Sequence, residues 1–110
     1  MMRMAMSPAA SGLLRELVRR AGCSRDRILL TELRSVEWQS LTFVGERHQL
    51  ELRIAGNDAA TLAGRIASGL AEAEFAIARH IVADITCSRE PELASDGSIT
   101  LCIEALTIED

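Results

Sequence analysis

Two histidines, three cysteines and a set of strand carboxylates are the groups in this chain that could do chemistry, and their spacing decides which chemistry is open to them. Residues 75–87 and 98–108 are rich in β-branched and aliphatic residues and read as strands. Side chains of a strand alternate between faces. That alternation places Phe75, Ile77, Ile81, Ala83, Ile85 and Cys87 of one stretch with Ile99, Leu101, Ile103 and Ala105 of the other, as a core face. The opposite face then carries His80, Val82, Asp84 and Thr86 beside Thr100, Cys102, Glu104 and Leu106. An imidazole, a thiol and two carboxylates are the composition of a transition-metal or acid–base site, so His80, Asp84, Cys102 and Glu104 form a candidate ligand or metal cluster. The plain alternative is an ordinary sheet face, solvated or covered by a second subunit.

A second grouping comes from the repeated pairs Arg47-His48 and Arg79-His80. Guanidinium and imidazole donors suit a phosphate or carboxylate, which makes Arg47, His48 and Arg79 a candidate anion site. Edge-strand charges that block unwanted pairing would have the same composition. Recognised motifs are missing: the chain has no His-x-x-x-His, no Cys-x-x-Cys, no phosphate-cradling glycine loop and no Gly-x-Ser-x-Gly. No catalytic residue is therefore assigned and no cofactor is implied.

Cys23, Cys87 and Cys102 are odd in number and stand in no metal spacing, which points to reduced thiols and a cytoplasmic setting. Cys87 falls in the core phase and Cys102 in the opposite one, so a bridge between them is not expected. All 12 basic residues are Arg, a bias more economically explained by a GC-rich genome than by a function. The net charge of -4 and an aromatic content of only 3% argue against a nucleic-acid platform, which needs cations and stacking rings. Six Arg in residues 1–27 face seven acids in 84–110, a polarity that could orient a partner but is commoner as a solvated surface.

At the N-terminus, Ser7-Pro8 and Arg15 interrupt any apolar run before a signal sequence could form, and no stretch reaches the ~18 apolar residues of a membrane span. Neither nucleic acid nor membrane is expected as a partner. An apolar fraction of 48% in 110 residues fits one α+β domain over 1–110 with a single modest core, residues 1–7 being expected to be disordered.

The elements that must position these groups follow from caps and periodicity. Ser7 as N-cap, Pro8 at the first helical position, Leu13, Leu14, Leu17, Val18 and Ala21 at helical spacing and Gly22 as terminator define a helix over 8–21. Asn57 or Asp58 starts a second helix, with Ala59, Leu62, Ala63, Ile66 and Leu70 on one face and an end near Gly69. Between them the apolar phase changes: Ile28, Leu30, Val36 and Trp38 are even-numbered, Leu41 and Phe43 odd. A β-bulge or break near Gln39-Ser40 is expected, followed by a two-residue turn at Gly45-Glu46 that pairs Phe43 with His48 and Leu41 with Leu50. Leu50, Leu52 and Ile54 then point inward. Arg89–Gly97 is a loop containing Pro91 and the Asp96-Gly97 turn.

The order αββαββ becomes strand-helix-strand-strand-helix-strand when the last strand is moved to the front. The fold expected is a circularly permuted ferredoxin-like sandwich, a four-stranded antiparallel sheet with both helices on one face. Such a sheet leaves one face bare, and Trp38, Val82 and Leu106 are the candidate interface residues on it, Trp38 being equally open to a place in the core before the bulge. The reading that follows is a non-enzymatic interaction or ligand-binding module acting as a homodimer, its small-molecule ligand unspecified. The alternative is a small enzyme or metal-binding protein using the His80, Asp84, Cys102 and Glu104 cluster.

Overall fold

A computed structural model describes residues 6 to 110. The expected disorder of residues 1–7 falls outside the described residues for positions 1–5, while Ser7 is ordered as a helix cap. Ser7 Oγ accepts the Ala10 N–H at 3.1 Å, Pro8 occupies the first turn, and helix α1 runs Pro8–Ala21. It ends at Gly22, whose φ of 69° is the left-handed geometry that glycine adopts without a Cβ penalty, with its N–H on the Arg19 carbonyl. Helix α2, Ala59–Ala67, follows Asp58 and buries Ala59, Leu62, Ala63 and Ile66.

Four long or medium strands and one short one complete an α+β fold: β1 Ile28–Gln39, β2 Val44–Ile54, β3 His80–Cys87, β4 Glu92–Leu93 and β5 Ile99–Glu109. All pair antiparallel, in the order β1-β2-β5-β3, and β4 pairs with the start of β5. The sheet thus has five strands rather than four, because two residues of the Pro91-containing loop close a hairpin on β5 across the Asp96-Gly97 turn. The buried faces of α1 and α2 form one cluster with Leu50, Leu52 and Ile54 of β2, Leu101, Ile103 and Ala105 of β5 and Ile85 of β3. Both helices therefore cover the same sheet face, here called the inner face.

The helices hold each other at their C-terminal ends, where unpaired carbonyls carry partial negative charge. Arg20 of α1 donates to the carbonyls of Ile66 and Ser68 at 3.2 and 2.6 Å, and Arg65 of α2 donates to the Ala21 carbonyl at 3.1 Å. Gly12 lets the segment after α2 come close, since a Cβ there would stand 2.7 Å from Ile77 Cγ2.

The strand phases differ from expectation in three places. The turn between β1 and β2 is Ser40–Phe43, closed by Ser40 N–H on the Phe43 carbonyl at 2.9 Å and Phe43 N–H on Ser40 Oγ at 3.1 Å. Gly45 is not in it. It lies inside β2 because β5 passes so near that a Cβ would sit 1.9 Å from the Thr107 carbonyl oxygen. Consequently Leu33 rather than Leu41 faces Leu50, and Ser35 rather than Phe43 faces His48. Near Gln39-Ser40 the strand breaks rather than bulges, β1 ending at Gln39, and a bulge in β1 lies at Thr31, between Leu30 and Glu32. A second bulge, between Val82 and Asp84, reverses the phase within β3, which itself begins at His80 instead of Phe75.

Candidate functional site

Pairing and parity together fix which residues share the outer face, the one without helices. Counting outward from the hairpin, the first row across the sheet is Trp38, Gly45, Ile108 and Ile81, on β1, β2, β5 and β3 in turn. The next is Val36, Arg47, Leu106 and Asp84, and the third is Arg34, Gln49, Glu104 and Thr86. Apolar side chains thus gather at one end of the face, where Val36 is 49% and Ile81 46% exposed. Beside them the charges separate, Arg34 and Arg47 on the β1–β2 half against Glu104 and Asp84 on the β5–β3 half. A shallow hollow of about 450 Å³ lies over Trp38, Val36, Arg34, Arg47 and Glu104. Trp38 is half-buried there, opposite the bare backbone of Gly45.

The metal-type cluster is not assembled. Asp84 and Glu104 reach the outer face as neighbours on the diagonal, and Gln49 Nε2 donates to Glu104 at 3.1 Å. Cys102 pairs with Glu51 on the same face, its Sγ 3.9 Å from Glu51 Oε1. His80 stands opposite Glu109, so it is five residues along β5 from Glu104, about 16 Å at ~3.3 Å per residue. Its ring Nδ1–H donates to the Ala78 carbonyl at 2.9 Å. The bulge before Asp84 is the reason: it puts His80 and Val82 on the inner parity and Asp84 and Thr86 on the outer. Among the described residues no group of three His, Cys, Asp or Glu side chains could hold one metal ion. Val82 likewise leaves the bare face and packs against the core. Burial pushes the Cys87 and Cys102 thiols up, which keeps them protonated at neutral pH.

The anion set is also dispersed. Arg47 projects from the outer face, whereas His48 beside it is 0% exposed on the inner face. Arg79 sits at the turn into β3 with a φ of 63°, where its carbonyl accepts the Asp110 N–H. Adjacent strand residues point to opposite faces, so Arg47 and His48 cannot bind one anion.

His48 has other partners. Its Nδ1 lies 2.7 Å from Ser35 Oγ on β1 and its Nε2 2.8 Å from Thr107 Oγ1 on β5, and Thr107 Oγ1 is 3.5 Å from the Glu46 carbonyl. Every buried side-chain nitrogen and oxygen among the described residues finds a partner, this imidazole included. Burial lowers the His48 pKa, with His80 acting in the same direction and Glu46 opposing. Ser35 and Thr107 are absent from the sequence-derived sites because only the true register of β1 on β2 places Ser35 opposite His48.

Comparison of the chain with family models, with curated proteins and with solved structures finds no match. Among the described residues no helix is long and apolar enough to cross a membrane.

Proposed function

We propose that this chain is a self-associating interaction module whose working form is a homodimer joined through the outer sheet face. The observation that carries the reading is the uncovered row Trp38, Gly45, Ile108 and Ile81, flanked by Val36 and Leu106. A face that pairs with itself must be self-complementary under a two-fold axis. An axis running along the strands between β2 and β5 meets that demand. It lays apolar end on apolar end, and it sets β1 of one copy over β3 of the other. Trp38 then meets Ile81 of the second copy, and Gly45 faces its Ile108. In the two rows next to the apolar end Arg34 and Arg47 fall toward Glu104 and Asp84 of the second copy, which favours the same arrangement, while Glu32 and Glu51 lie one row farther out.

Sedimentation equilibrium at high micromolar concentration tests this. A dimer is expected for the native chain and a monomer for Leu106→Asp, which puts a carboxylate into the apolar rows. A monomeric native chain at that concentration overturns the proposal.

The strand order supports a finer reading of the fold as a permuted ferredoxin-like sandwich. With β5 counted first, it lies between β3 and β2, and β1 takes the outer edge. Ser7, Pro8 and Glu109 line one cleft, so the two ends that a permutation would have created lie together. Three unbridged thiols fit a reducing, cytoplasmic setting.

A further inference from the structure

The bonds around His48 have a direction. If the Thr107 hydroxyl donates to the Glu46 carbonyl, its oxygen is left to accept, and it accepts His48 Nε2–H. The imidazole proton is then held on Nε2, and the lone pair of Nδ1 faces Ser35 Oγ at 2.7 Å. In that tautomer Ser35 donates its hydroxyl proton to Nδ1 of an oriented imidazole, the arrangement that activates a serine nucleophile.

Ser35 is placed to be reached. Among the described residues β1 is an edge strand paired only with β2, and Ser35 is exposed although His48 beneath it is buried. Counting back in steps of two from the Ser40–Phe43 backbone bond, the pairs Trp38/Gly45, Val36/Arg47 and Arg34/Gln49 exchange ladder hydrogen bonds. Ser35/His48 is a pair of the other kind, so the Ser35 N–H turns toward the free edge. That N–H is a donor for an oxyanion forming beside Oγ.

We propose that Ser35 and His48 form an acyl-accepting site at the free edge of the sheet, with Ser35 as nucleophile, His48 as general base and Thr107 as the positioning residue that fixes the imidazole. In the step, the Ser35 Oγ–carbon bond forms as the proton passes to His48 Nδ1. The ester bond of the donor breaks, and the departing alkoxide takes that proton. Water attacking the acyl-serine by the same route releases the acid and restores Ser35. The neighbours on the inner face set the substrate class. Leu33, half-buried on one side, favours a short aliphatic acyl group, while Glu37 and its cross-strand partner Glu46 on the other repel anionic donors. Neutral or cationic acyl esters are the class that fits. The site is independent of the dimer proposed above, which uses the opposite face.

An uncharged alkyl fluorophosphonate tests the site on the full chain, since Oγ–phosphorus bond formation with loss of fluoride needs the same serine and base. Peptide mass mapping should find the adduct on Ser35 at least ten-fold faster than on Ser40, another exposed serine, whose Oγ accepts the Phe43 N–H and has no imidazole partner. The Ser35 rate should be level above the ordinary imidazole value of 6.5 and fall at lower pH as His48, whose pKa burial holds below that value, takes up a proton in a surround of Glu46 on β2, Glu37 on β1 and His80 on β3. His48→Gln should reduce Ser35 labelling to the Ser40 rate. Equal labelling of Ser35 and Ser40 in the native chain overturns the proposal, whether or not the variant folds. So does undiminished Ser35 labelling in a His48→Gln chain with a native circular dichroism spectrum.

Discussion

One methyl group at Gly45 would meet the Thr107 carbonyl oxygen at 1.9 Å and the Ile108 Cα at 2.9 Å, both backbone atoms that no rotamer change can move. Gly45→Ala must therefore push β2 and β5 apart, and overpacking of this kind costs about 1–3 kcal/mol. Urea unfolding monitored by circular dichroism should show the midpoint falling accordingly. His48 gives a second expectation, because its folded pKa is lowered from 6.5 by burial. Below that ordinary value the unfolded chain takes up a proton that the folded chain resists. Stability attributable to His48 is thus complete above about pH 6.5 and declines as pH falls toward the folded pKa. Comparing the native chain with His48→Gln across pH 5–8 isolates this slope; a slope that survives the substitution belongs elsewhere.

The elements themselves were legible in the sequence where local chemistry specifies them. Ser7, Pro8 and Gly22 bound α1 without help from the rest of the chain, and α2 and β5 likewise follow from apolar periodicity and alternation. Register was not legible, because it depends on what lies across the sheet. Gly45 resembles a turn glycine until β5 is seen passing over it, and neither Thr31 nor Ala83 carries a local sign that a bulge falls there. Each bulge transfers every later residue of its strand to the other face, which is why the His80, Asp84, Cys102 and Glu104 grouping dissolved while Trp38 came to the outer face that holds Leu106. At this scale the helix caps are testable. Ser7→Ala should cost about 1 kcal/mol through the lost bond to Ala10 N–H. Arg20→Ala, which frees two α2 carbonyls in a half-exposed setting, should cost about 1 kcal/mol. Thermal melts of the two variants check both figures.

For the molecule as a whole, an apolar sheet end opposite a helix-covered face makes stability a property of concentration. If the outer faces pair, the unfolding midpoint should rise as the chain is concentrated, and Leu106→Asp should abolish that dependence. Trp38, the only tryptophan, gives the same event an optical signal, since its half-exposed indole should shift to shorter wavelength on dilution-reversible association. The crossed guanidinium bonds of Arg20 and Arg65 bear on a different property, the timing of local opening. Each helix end is held by a side chain rooted in the other, so neither last turn can fray while its neighbour stays closed. Amide hydrogens near Gly22 and Ser68, far apart in the chain, should then exchange with one shared opening rate and lose protection together when either arginine is removed.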